Sequence, residues 1–442
     1  MDHIDFISKL GSRSVFIIIS FIIVALIIDT SIIKISGFTT DRTSPSLNIT
    51  IFTVMVVVYA VGQYLILGFV KSKINEIISN KQLHLNVIHK VVSITQYAVI
   101  VILVSIILQM IITSGYNIFL LNAVLWINYI LSIMLLGLLA QRFFSWFRSQ
   151  HTSVVLAYAL AIPMLSINAG FTLLYVANEL MARPTYINSM RNPIMTFSSA
   201  DSLFNSAYVI TSVLSFILIW IATVLLLRHY SRRLGKIKYW IVVSIPLAYF
   251  LSQFQPLFLN LFATYRLSEP FVFGIVYTLI FSASKPVGGI LFGIAFWSIA
   301  RSLTSKTVKS YMMISAYGIM LLFTSNQAAV LITAPYPPYG LATISFMAIS
   351  SYLILVGVYS SAISVAQDVN LRKSLRKSVE QQSTLLDKIG ASEMEQEIHR
   401  RVIKITKEKL NKLTEETGVQ SSVTEDEMKQ YMNDVLKEIK KT

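Results

Sequence analysis

Long apolar runs alternate with short polar or basic breaks along most of the chain. Ten runs of about 20 residues or more fall near 14–35, 49–70, 91–113, 118–141, 153–176, 207–227, 239–263, 271–300, 311–334 and 341–366. A helix of that length crosses about 30 Å of hydrocarbon. The pattern predicts an all-α fold, a polytopic transmembrane bundle of about ten spans over residues 1–366. Residues 367–442 read differently, as a cytoplasmic tail of short amphipathic helices. Lys9 and Arg13 precede the first run, as in a signal peptide. No small-residue cleavage site follows "SVFIIISFIIVALII", so the run reads as an uncleaved first helix.

Charge in the breaks supplies an orientation. Segments 1–13, 71–90, 142–152, 228–238 and 301–310 carry 16 Lys/Arg, whereas the intervening breaks carry five, Lys34, Arg42, Arg183, Arg191 and Arg266. This alternation is the positive-inside bias of ten crossings with both termini cytoplasmic, in a cell-membrane protein. Miscounting one helix would invert every later loop and destroy it.

Composition agrees with that reading. Hydrophobic residues make up 55% and charged residues 13% of the 442 positions, and the mean hydropathy is +0.65; soluble domains hold about 25% charged residues. The net charge of +15 invites a nucleic-acid partner, but the tail holds 15 Lys/Arg against 14 Asp/Glu. The excess therefore sits in short membrane loops, where topology explains it and a nucleic-acid groove has no room. Cysteine is absent, which excludes disulfides, thiol catalysis and Cys-ligated metal.

The run Phe271–Ala300 contains one charge, Lys285, within "FSASKPVGGILFG". A re-entrant hairpin here would place the following basic loop outside, so a single crossing, kinked or broken near Pro286, fits better. Lys285 is then about 20 Å from either end at 1.5 Å per residue, too deep for simple snorkelling. An ionisable group at that depth needs water, a carboxylate or freed carbonyls. Thr278, Ser282, Lys285, Gly289 and Gly293 share one stripe, and the two glycines form a small-xxx-small pair that admits another backbone. The one acid in an expected span, Asp29, lies near the outer end of the first helix. A Lys285–Asp29 pair would require that helix to tilt.

Uncharged polar groups recur in other spans: Asn168 beside Pro163 in the fifth, Gln253, Gln255 and Asn260 around Pro256 in the seventh, and "TSNQ", Thr324 to Gln327, in the ninth. Buried amides serve as interhelical glue or line a polar midplane cavity. The expected site is Lys285, Ser282, Ser284, Gln253, Asn260, Asn326 and Gln327. The interrupted spans do not occupy matching positions in the two halves, so an inverted repeat is not visible.

Catalytic signals are weak. None of the six histidines lies well inside an expected span, and His84 and His89 read as solvated residues of one basic loop. No H-E-x-x-H, G-x-S-x-G, Walker A or G-x-G-x-x-G motif occurs. Glu179 and Asp201 flank a long outer loop as an isolated acid pair, and Asn48 matches a glycosylation pattern. No cofactor, metal site or catalytic residue is expected.

After the tenth span, Arg372, Lys373, Arg376 and Lys377 sit beside the membrane, suited to anionic head groups or to a stop-transfer anchor. Gly390 is expected to end one helix, and the capping boxes Ser392/Glu395 and Thr424/Glu427 to start two more. Met394, Ile398, Val402, Ile405, Leu410 and Leu413 form a stripe on the first of these and Met428, Met432, Val435 and Ile439 on the second. Such faces need a second copy, the cytoplasmic loops or another protein, through residues 390–442. Two functional readings result: a transporter or permease with a polar midplane site around the interrupted eighth helix, and a non-catalytic receptor, scaffold or assembly subunit acting through its tail.

Overall fold

The computed structural model describes residues 12–39, 45–76, 81–181, 185–188, 203–228, 231, 235–254, 283–303, 305–328, 330–333, 336–368, 372 and 384–417. They form helices α1 (Ser12–Thr39), α2 (Pro45–Asn75), α3 (Lys81–Thr113), α4 (Ile118–Ser149), α5 (Ser153–Met181) and α6 (Leu203–Leu227). Then follow α7 (Lys236–Ser252), α8 (Ser284–Ser302), α9 (Lys306–Ser325), the single turn α10 (Val330–Thr333), α11 (Leu341–Gln367) and α12 (Thr384–Thr417). Strands β1 (Gly115–Asn117) and β2 (Tyr186–Asn188) pair antiparallel, Tyr116 opposite Ile187.

Among the described residues six helices, over Ser46–Asn75, His84–Thr113, Ile118–Ser149, Ser153–Met181, Leu203–Leu227 and Leu341–Gln367, are long and apolar enough to span a membrane. The chain is a multi-pass integral membrane protein. These helices match the second to sixth and the tenth expected spans. The first expected span corresponds to the apolar stretch Ser14–Asp29 of α1. Residues 255–282, which would complete the seventh run and open the eighth, lie outside the described residues.

One helix organises the rest. Every residue of the apolar window of α11 is buried, because its sequence is apolar or small all round and no face is left for lipid. Several of its serines bond within the helix, Ser345 donating to the Leu341 carbonyl (2.8 Å) and Ser350 to that of Met347 (2.7 Å). Gly318 of α9 and Gly357 of α11 let the two backbones approach closely. Helices α4 and α9 pack directly on α11, with α1, α2 and α3 beyond; α5 bridges α4 to α6, and α8 joins α9 to α6 and α7. Helix α3 shows the opposite environment, with Ile94, Val101, Leu108 and Ile112 exposed in a stripe suited to lipid.

Asp29 has a structural partner. Its buried carboxylate accepts the Gly340 N–H (3.1 Å) and the Thr343 hydroxyl (2.6 Å) at the start of α11. Gly340, at φ +74°, makes the turn into α11 in a left-handed conformation that favours glycine. An anion at a helix N-terminus meets unsatisfied donors and the positive end of the dipole, so Asp29 is occupied here rather than with Lys285. Asp29→Ala should cost roughly 2–4 kcal/mol by orphaning two buried donors. Thermal unfolding in detergent checks this, with Asp29→Asn expected to fall between.

Loop contacts gather at the two ends of the bundle. At one end Tyr116 stacks on Tyr336 (6.3 Å) and the Tyr339 hydroxyl donates to the Asn48 carbonyl (3.1 Å). Asn48, the residue of the glycosylation pattern, sits in the first turn of α2. At the other end, that of the Lys/Arg-rich breaks, Tyr311 donates to the Lys73 carbonyl (2.8 Å) and Trp146 to Glu393 (2.9 Å).

The tail differs from expectation. Helix α12 runs unbroken through Gly390 and Ser392. Gly390 is needed for close packing on Val365 of α11, and the Ser392 hydroxyl bonds the Trp146 carbonyl (3.1 Å). Tertiary contacts thus override both local stop and start signals. Leu385, Leu386 and Ile389 are buried, while Ile398, Val402 and Ile405 are exposed. The second tail helix and its stripe lie outside the described residues.

Candidate functional site

Helix α8 begins at Ser284, which puts Pro286 in its first turn, where the missing N–H costs no intrahelical bond. Helix α9 runs back antiparallel and stops at Ser325, with Asn326 as its C-cap (φ −79°, ψ 63°). The register is fixed by small residues. A Cβ on Gly293 would lie 2.8 Å from the Ala316 carbonyl, and one on Gly289 would lie 2.6 Å from Phe323 Cβ. Extending that pairing one turn brings Ser284 and Lys285 level with the last turn of α9. Two helix ends of opposite dipole sign therefore meet inside the bundle, the N-terminus of α8 and the C-terminus of α9.

A polar chain crosses this junction. Tyr129 of α4 donates to Asn326 Oδ1 (3.0 Å), Asn326 Nδ2 to Asn168 Oδ1 (3.2 Å), and Asn168 Nδ2 to Thr211 Oγ1 (3.2 Å). All four are at least nine-tenths buried. One turn from Thr211 on α6, Tyr208 stacks on Tyr175 of α5 (5.3 Å, 14°). The Lys285 ammonium reaches Tyr208 by a long bond to its hydroxyl (3.4 Å) and lies 5.3 Å from its ring centre. Among the described residues no carboxylate pairs with Lys285. Its half-buried charge also sits at the N-terminus of its own helix, the end where the dipole disfavours a cation.

An aromatic layer closes one end of this chain. Phe216 stacks on Phe250 (4.0 Å) and meets Phe292 (5.2 Å) and Phe323 (5.9 Å) edge-on. Gly288 leaves room for the Phe216 ring against α8. Phe216 lies five residues beyond Thr211 toward the Lys/Arg-rich end, about 7.5 Å along the axis.

Of the expected site, the structure thus brings Lys285 and Asn326 into one junction through Tyr208, Thr211 and Asn168. Ser284 is buried in the first turn of α8, and Gln327 follows Asn326 in the break, its N–H on the Ser325 carbonyl (2.8 Å). Gln253 caps the C-terminus of α7. Ser282 and Asn260 lie outside the described residues, as do Lys373, Arg376, Lys377 and Asp201. The Arg372 guanidinium lies against Met394 of the tail, and Glu179 is in the last turn of α5.

Three tyrosines of the junction escaped the sequence because tyrosine reads as apolar in a span. His89 is a correction: α3 begins early enough to bury it at 8% exposure, and its Nδ1 bonds the Tyr352 hydroxyl (2.9 Å). Nearby, Tyr59 donates to Gln96 Oε1 (2.6 Å) and Gln96 to Asn128 (3.1 Å), a second buried seam between α2, α3 and α4. The chain matches no known protein family, no curated protein and no solved structure.

Proposed function

We propose that the protein is a permease with ten crossings and both termini cytoplasmic, and that its site is the junction of α8 and α9. The observation that carries the reading is Lys285, a cation with no carboxylate partner among the described residues, at the meeting point of two helix ends. Interrupted helices at the midplane are a recurrent way to present dipole ends to a charged substrate. An ammonium at the positive end of a helix dipole suits a carboxylate or phosphate, and the Tyr175–Tyr208 stack suits an apolar or planar body. The substrate class is therefore a small organic anion. The ten-crossing arrangement is supported by loop contacts that gather at two ends and by the alternating loop charge.

Purified protein in proteoliposomes should accelerate the flux of at least one member of a panel of carboxylates and organic phosphates. Flux equal to empty liposomes across the panel would sink the permease reading. The Phe216 layer is the barrier toward the cytoplasm in this account. Phe216→Leu, which thins the layer, is expected to raise substrate-independent anion leak severalfold in the same vesicles.

A receptor or scaffold role keeps one specific observation, the exposed Ile398, Val402 and Ile405 stripe on the outer half of α12. On that reading, charge reversal along the stripe abolishes a protein interaction and leaves flux untouched.

A further inference from the structure

At the Lys/Arg-rich end, where α3, α4, α11 and α12 meet, a cavity of about 220 Å³ opens away from the α8–α9 junction. Its polar lining is Arg142, Arg400, His84, Gln141 and Tyr359, and its apolar lining includes Ile88 and Leu138. Among the described residues no acidic one lines it. Arg142 is half-buried with its guanidinium 4.8 Å from the centre of the Tyr359 ring, and Arg400 reaches in from the tail helix. Among the described residues neither arginine is ion-paired. Leu138 is 44% exposed on the bundle surface, in a helix that spans the membrane, so the apolar wall of the cavity continues onto a lipid-facing surface.

We propose that this cavity binds the phosphate head group of an anionic membrane lipid, with an acyl chain running out over Ile88 and Leu138. Two uncompensated guanidiniums at one cavity match phosphate geometry, since each can present a fork of donors to two oxygens. Basic pockets between helices near the membrane surface are suited to lipid head groups, and the apolar exit favours a lipid over a free anion. Because Arg400 belongs to α12, the lipid would join the tail to α3 and α4. The site is independent of the permease reading and is tested without any flux measurement.

The test is native mass spectrometry of the full chain, titrated in detergent with phosphatidic acid, phosphatidylglycerol or phosphatidylcholine. The wild type should bind the two anionic lipids at least tenfold more tightly than the zwitterionic one. Arg142→Gln and Arg400→Gln should each weaken anionic-lipid binding roughly fivefold. Arg401→Gln, which removes a neighbouring tail charge paired with Glu397 (3.1 Å), should leave binding unchanged. Arg400→Gln keeps the test decisive if Arg142→Gln fails to fold, because Arg400 is exposed. Equal binding of all three lipids, or unchanged binding by Arg400→Gln, overturns the proposal. Displacement of bound lipid by millimolar inorganic phosphate overturns it in favour of a soluble-anion pocket.

Discussion

Lys285→Met is expected to cut anion flux roughly 10- to 100-fold while leaving the protein as stable as the wild type or more so. The two effects have different causes. In the folded protein the ammonium has one long bond to Tyr208 and a distant ring contact, together worth about 1–2 kcal/mol at most. If α8 completes the proposed eighth crossing, holding a lysine there costs about 2.5–3.5 kcal/mol on insertion scales. The helix dipole at the start of α8 adds to that cost. Methionine removes the cost and fills similar space. A substrate anion, by contrast, loses a charge-assisted partner worth about 1.5–3 kcal/mol, a drop of roughly 10- to 100-fold in uptake at limiting substrate. Flux in proteoliposomes and thermal unfolding in detergent, read on the same preparations, separate the two. A destabilised Lys285→Met with proportionate loss of flux would make the lysine structural and end its assignment to the site.

A large stability loss is expected at Gly357→Ala. A Cβ there would lie 2.6 Å from the Tyr311 carbonyl and 2.7 Å from the Ser315 nitrogen, both backbone atoms of α9 that cannot rotate away. The α9–α11 contact must open, at about 2–3 kcal/mol for overpacking. Because α9 carries Asn326 at its end, the shift would also disturb the α8–α9 junction. Gly137→Ala is the matched control, since nothing lies within 4 Å of its added methyl and helix propensity favours alanine by up to about 1 kcal/mol. Equal melting temperatures for the two variants would contradict the close crossing.

Hydrophobic runs made most of the membrane helices legible, because lipid imposes length and apolarity on a span directly. Lys285 and Asn326 were legible as anomalies for the same reason, each being costly unless partnered. What the sequence concealed was relational. Gly390 and Ser392 carry local signals for a helix boundary, yet packing on Val365 and a bond to Trp146 keep α12 continuous. His89 looked like a loop residue because it falls in the basic break 71–90, just ahead of the apolar run, whereas Tyr352 supplies a buried partner from far along the chain. The end of α9 did have a readable cue. Four consecutive polar residues, Thr324 to Gln327, sweep most of a helix circumference at about 100° each, so an unbroken helix would turn one of them toward lipid. Stopping at Ser325 lets Asn326 face Asn168 instead.

The central claim is that an anion reaches the α8–α9 junction from water, and the absence of cysteine from the chain makes it directly measurable. Lys285→Cys creates a single thiol at the junction, to be modified with a small, charged, membrane-impermeant thiosulfonate in intact vesicles. The account predicts rapid modification that a transported anion slows, with Ile290→Cys on the exposed face of α8 remaining unreactive. A thiol at position 285 as inert as the one at 290 would contradict it.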